Sequence, residues 1–321
     1  MLKTRVTELL GIEYPIQCGT MMWLGRAELI AAVANAGGLC CLPAALYPTP
    51  DELVAEIKKT RDLTDKPFGV NVSLFPALMT RPFDEMIQTV IDSGVKILET
   101  AGRSPAPYRE MIKDAGLIHI HKCARVKDAA KVDRLGVDIV SIVGTEAGGH
   151  PSMEGVTSLV LIPQAVDAIQ APLIAGGGFG DGRSLVVALA MGAEAVMMGT
   201  RFMATQECPM DQAAKDKLIE SSETSTVMVM MSLGNPMRTL RTSWTEKVLE
   251  MEGQSATLEE LAPYISGQAG MDGWQQGNVE KGLFACGQVV GRIKDVPTVA
   301  DLVQNIIKEA QEAKGKLDAL F

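Results

Sequence analysis

Along the first two hundred positions, short runs rich in Val, Ile and Leu alternate with longer segments whose apolar residues recur at helical spacing. The runs predict strands at 15–19, 38–44, 68–74, 97–101, 117–123, 139–143, 172–176 and 195–199. The segments between them predict helices at 27–36, 51–63, 84–93, 126–135 and 183–191. Gly37, Gly94, Gly116, Gly136 and Gly192 each stand just before a strand, where glycine closes the preceding helix in the left-handed conformation. Strands that alternate with helices build parallel sheets. Eight such strands with seven intervening helices favour a closed TIM-type (β/α)8 barrel over an open, doubly wound sheet. The run Gly176-Gly177-Gly178-Phe179-Gly180-Asp181-Gly182 lacks the G-x-G-x-x-G spacing that a doubly wound, dinucleotide-binding sheet carries.

The repeat stops after Thr200. From about 205 to 275 the pattern reads as helical, including the Met-rich stretch Val227-Met228-Val229-Met230-Met231 and the run 244–251, and a final charged helix is predicted at 299–317. The expected organisation is a β/α barrel formed by 1–205 and 276–321. A helical cap domain, 206–275, is inserted near the C-terminus over the barrel mouth. Methionines in such a cap either repack around an apolar ligand or fill an ordinary helical core.

Charge and cysteine usage narrow the function classes. A formal charge of −9 without a local Lys/Arg cluster argues against nucleic acid and against an anionic membrane surface as partners. Six cysteines without a C-x-x-C read as reduced, buried thiols of a cytoplasmic protein. Glu8 and Glu13 stand where a signal peptide would place its apolar run, and no stretch approaches a membrane span.

Barrel enzymes carry their chemistry on the loops after the strands, often with a phosphate held after the seventh and eighth. Both places are glycine-rich here: Gly176-Gly177-Gly178 follows one, Gly199-Thr200-Arg201 the other. Glycine lets backbone N–H groups approach phosphate oxygens, although it also simply makes tight turns. The loop after the sixth strand, Gly144-Thr145-Glu146-Ala147-Gly148-Gly149-His150-Pro151, holds one of the chain's three histidines. His150 is the candidate acid–base catalyst, with loop ordering as the plainer alternative. Lys122 shares the parity of Ile118 and Ile120, so it points into the barrel and calls for an anionic partner such as a phosphate or a reduced flavin. Asn71 is a second polar residue in an apolar strand. A metal-dependent barrel hydrolase could use His119-x-His121, but only one further histidine exists to complete a ligand set.

In the stretches 15–23, 31–38, 68–71, 121–123, 146–151, 176–182, 199–209 and 275–297 the chain resembles the nitronate monooxygenase (2-nitropropane dioxygenase) family of FMN barrels, and within it the bacterial NADH:quinone reductase branch. The loop 144–150 also resembles that of the flavin enoyl-acyl-carrier-protein reductases. The resemblance implies FMN, with its phosphate on Gly177, Gly178, Gly199 and Thr200 and with Gly176 as a further cofactor-binding residue beside them. It implies that Gly19, Met21, Asn71, Lys122, Gly148, Gly149 and Gln288 also border the cofactor, with His150 beside the flavin. The implied activity is oxidation of nitronates or of NAD(P)H, with electrons passed to oxygen or quinone. The alternative is an NAD(P)H-dependent enoyl-thioester reductase. Expected partners are a small-molecule substrate, NAD(P)H as a transient co-substrate and a second copy of the chain as a homodimer. Where the family's first strand ends in a Gln-Gly-Gly-Met type run, this chain has Gln17-Cys18-Gly19-Thr20-Met21-Met22, which places Cys18 and Thr20 as candidates to alter the flavin edge or the substrate pocket.

Overall fold

The structure is a computed structural model and describes residues 2–75 and 82–320. Eight parallel strands are present: β1 (Ile16–Cys18), β2 (Cys41–Pro43), β3 (Gly69–Leu74), β4 (Ile97–Gly102), β5 (Ile118–Cys123), β6 (Ile139–Val143), β7 (Leu173–Gly176) and β8 (Ala195–Met198). They pair in the order β1-β8-β7-β6-β5-β4-β3-β2. A parallel bridge between Gln17 and Leu39, just ahead of β2, joins the two ends and closes the sheet into a TIM-type (β/α)8 barrel. The predicted helices lie within a residue or so of expectation, and all five predicted cap glycines have φ between 67° and 91°.

Alternation along the strands sorts side chains into two cores. Leu39, Cys41, Ile97, Ile120, Ile139, Ile174 and Ala195 fill the barrel interior with Val6 and Leu10, whose helix Arg5–Leu10 plugs the end opposite the mouth. Leu98, Val140, Ile142 and Val196 face outward into the larger cluster beneath the helices. The helix that follows β8 in the ring is the last one, Val299–Asp318, which packs on the helices Gly182–Ala190 and Ala27–Asn35. A Cβ at Gly182 would lie 2.3 Å from the Ala310 nitrogen and the Ile306 oxygen, so only glycine permits that helix contact.

Between β8 and the last helix, the chain makes helices Gln212–Glu220, Ser243–Gly253, Leu258–Ile265 and Gly267–Gln276. The Met-rich stretch departs from its helical expectation. Thr226–Val229 is a strand, β9, paired antiparallel with β10 (Met237–Leu240). Thr226, Val227 and Val229 are β-branched and favour the pleated surface. Met230 then turns the chain at φ 60°, with its N–H and that of Ser232 held by the Glu252 carboxylate at 2.8 and 2.9 Å. No helix among the described residues is long and apolar enough to cross a membrane.

Candidate active site

Inside the barrel, above the apolar layer, sits a carboxylate that the sequence pattern does not single out. Glu99 is fully buried and follows Ile97 on the interior face of β4. Its Oε1 accepts from Asn71 Nδ2 (2.6 Å) and Thr20 Oγ1 (2.9 Å), its Oε2 from Gln17 Nε2 (2.7 Å), and Lys122 Nζ stands 3.9 Å away. Lys122 therefore points inward, as its parity required, and its anionic neighbour is supplied by the protein. Asn71 also accepts from Ser73 Oγ at 3.0 Å. Two buried polar atoms in this layer have no protein partner, Gln17 Oε1 and Ser141 Oγ, the latter on β6 opposite Lys122 in register.

One side of the mouth is glycine backbone. Gly176 ends β7, and its carbonyl accepts from Gly144 N at 3.0 Å. Gly177 and Gly178 follow at φ 97° and 80°, a pair of left-handed residues that side chains rarely adopt. Outside the strand ladders, the N–H groups of Gly177, Gly178, Gly199 and Thr200 make no backbone hydrogen bond among the described residues. A Cβ at Gly199 would meet nothing within 4 Å, so the space beside that residue is open. Gly19 approaches Gly199 closely, and a Cβ at Gly19 would lie 3.6 Å from the Gly199 Cα. Met21 caps the turn at Gly25 through its carbonyl (2.9 Å), with its side chain half-buried against the outer core.

The third wall is a three-way junction. Arg238 of β10 exchanges both backbone hydrogen bonds with Gly149 (3.0 and 2.7 Å), and its Nε donates to the Thr145 carbonyl at 2.9 Å. The returning C-terminal segment adds Leu240 N to Phe284 O (2.8 Å), Gly287 N to Thr200 Oγ1 (2.9 Å) and Gln288 N to Glu146 O (3.0 Å). Gln288 thus reaches the mouth through its backbone. Gly148 is needed for the junction, because a Cβ there would lie 2.8 Å from the Cys286 and Gly287 backbone. His150 comes next. Its Nδ1 lies 3.0 Å from the Pro236 carbonyl of the hairpin loop, and its ring stacks on Phe75 at 6.3 Å. His150 is exposed at the surface, yet the surrounding loops desolvate its ring. That desolvation lowers its pKa below the usual histidine value, against the opposing pull of the Pro236 carbonyl and the Asn235 side chain.

Other candidates face away. His119 and His121 alternate with the interior residues of β5, so they point outward, where both rings share the Thr100 hydroxyl at 2.7 Å. Burial holds them uncharged, with pKa values pulled down to about 3 and about 4. They are removed as metal ligands for a mouth site, and no group of three or more His, Cys, Asp or Glu among the described residues could hold a metal. Cys18 is likewise fully buried in the outer core, beside Cys40, and does not border the mouth. Of the two unusual first-strand residues, only Thr20 belongs to the site.

The nitronate monooxygenase family model matches residues 3–309. The chain is 34% identical, over 99% of each chain, to a (3aS,4S,5R,7aS)-5-hydroxy-7a-methyl-1-oxo-octahydro-1H-indene-4-carboxyl-CoA dehydrogenase of Rhodococcus jostii. Among solved structures it is similar to FabK from Thermotoga maritima, at TM-score 0.92 and 35% identity over 100% of both chains. It is also similar to the nitroalkane oxidase of Streptomyces ansochromogenes, at TM-score 0.82 and 25% identity over 98% of this chain and 100% of the other. With its closed barrel, glycine-lined mouth and interior lysine, the chain belongs to the nitronate monooxygenase family and is a flavin-dependent oxidoreductase.

Proposed function

We propose that the protein binds FMN at the barrel mouth and oxidises a carbon acid, with His150 removing the proton from carbon. A bound flavin would supply the electron acceptor, for hydride from the β-carbon of an acyl thioester or for the electrons of the carbanion left when a nitroalkane is deprotonated. Gly177, Gly178, Gly199 and Thr200 offer four N–H donors to one phosphate, which suits a mononucleotide. Lys122 and Asn71 provide a cation and a spare amide proton for the polar edge of the ring.

The observation that carries this reading is the state of His150. Its lowered pKa leaves the imidazole neutral at pH 7 and able to accept a proton, and the residue is exposed on the loop after β6. Taking electrons from NAD(P)H for a quinone makes no use of such a base. Removing a proton next to a thioester carbonyl or a nitro group does. The thioester comes first, as a CoA ester, supported by the 34% identity to a carboxyl-CoA dehydrogenase over 99% of both chains. A nitroalkane, deprotonated to its nitronate in the site, is the second reading, supported by the family match and the nitroalkane oxidase likeness.

Protein purified as isolated, or incubated with FMN and desalted, is expected to be yellow and to release FMN and no FAD on denaturation. Colourless protein that takes up no FMN overturns the proposal. Anaerobic flavin bleaching by saturated acyl-CoA thioesters, nitroalkanes and NAD(P)H in parallel then identifies the electron donor. Gly199→Asp is expected to abolish FMN retention while leaving the barrel folded. Its φ of −95° suits any residue and the space is open, so the new carboxylate occupies the donors and repels a phosphate. Stoichiometric FMN in that variant would locate the phosphate elsewhere.

A further inference from the structure

Most interior positions at the level of Glu99 have no reason to be charged. Its neighbours in register are Asn71 on β3 and Ile120 on β5, and an aliphatic residue would satisfy the layer as Ile120 does. Instead a fully buried carboxylate accepts on both oxygens, which is the pattern of the ionised form. Its three hydrogen-bond partners are thereby oriented. Gln17 is committed through Nε2, so its amide oxygen is presented without a donor in a buried position. Asn71 spends its oxygen on Ser73 and one amide proton on Glu99, which leaves one proton to give. Lys122 stands 3.9 Å from Oε1, near enough for attraction and too far for a close hydrogen bond, so its ammonium protons remain available toward the mouth.

The unpartnered Gln17 oxygen and the available protons of Asn71 and Lys122 form a complementary set for a ring edge that has acceptors and one N–H, which the pyrimidine edge of a flavin has. Resting on the flavin reading above, we propose that Glu99 is the positioning residue of the site. It holds Gln17, Asn71 and Lys122 in donor and acceptor order, and its negative charge opposes build-up of negative charge on the bound ring. Thr20 strengthens the arrangement with a bond that a glycine at that position cannot make.

The test is sulfite affinity of the FMN-loaded protein, read from flavin absorbance. Sulfite adds reversibly to the oxidised ring and leaves negative charge on it. Glu99→Gln keeps the shape and removes the charge, so sulfite should bind on the order of tenfold tighter. That factor corresponds to a rise of roughly 30 mV in the two-electron midpoint potential. Lys122→Met should weaken sulfite binding by a similar order, since the carboxylate is then unopposed. A merely structural role predicts no reversal of sign between the two variants. If Glu99→Gln does not fold, Lys122→Met still decides. An unchanged sulfite constant in whichever of these variants binds FMN overturns the assignment. A wild-type protein that takes up no FMN overturns the flavin reading and this assignment with it.

Discussion

His150→Ala is expected to retain FMN and lose about 10²–10⁴-fold in flavin reduction by carbon-acid substrates, the usual contribution of a positioned acid–base group. The residue lies on the loop side of the mouth, with its ring held by Pro236 and Phe75, and it belongs to none of the contacts that hold the barrel closed. Reduction by NAD(P)H, which needs no base, should fall far less. The pH dependence carries the same information. A base must be neutral to act, and desolvation places the His150 pKa below the ordinary 6.5. Wild-type kcat/KM should therefore be flat near pH 7 and fall on the acid side, below 6.5, with that limb absent from the variant. Equal rates for wild type and variant with every donor would reduce His150 to a loop residue.

Acid should unfold the protein through His119 and His121, on the outer face of β5. Both are buried against one Thr100 hydroxyl, and two imidazolium charges there would be desolvated and would repel each other across a ring separation of 6.3 Å. Their folded pKa values, about 3 and about 4, lie below the unfolded value near 6.5, so the unfolded chain binds more protons under acid conditions. The stabilisation is complete above pH 6.5 and is lost as pH falls toward those folded values. Between pH 6.5 and 5 the pair should cost about 3 kcal/mol, a large part of a typical folding free energy. Urea midpoints measured across that range test the expectation. His119→Gln with His121→Asn retains a hydrogen-bonding atom toward Thr100 and should flatten the limb. An unchanged acid slope in the double variant would place the titrating groups elsewhere.

Much of the architecture was legible because its signals are local. Short runs rich in Val, Ile and Leu between helical segments marked all eight barrel strands, and glycines before several of them marked helix ends by the left-handed turn each makes. Parity along β5 aimed Lys122 inward. The same parity aims His119 and His121 outward, which separates them from any mouth chemistry. Glycines at the ends of β7 and β8 drew attention to backbone whose N–H groups make no backbone hydrogen bond outside the strand ladders.

What resisted reading depends on partners distant in sequence. The segment 226–229 is apolar in a way that suits helix or strand. It is a strand because β10 pairs with it and docks on Gly149 and Ala285, far along the chain. Strand β1 has only three residues, too few to phase by periodicity, so the outward turn of Cys18 emerged from closure of the barrel. Glu99 looked like one acidic residue in an apolar run, and its meaning lies in Gln17, 82 positions away, and Asn71, 28 away. The sequence by itself determined that the chain is a parallel β/α barrel and which strand ends are glycine-rich, because periodicity and turn chemistry are properties of neighbouring residues. Only the tertiary structure decided that a carboxylate organises the barrel interior and that a hairpin clamps the His150 loop. Those depend on barrel closure and on backbone pairing between segments that local propensity does not connect.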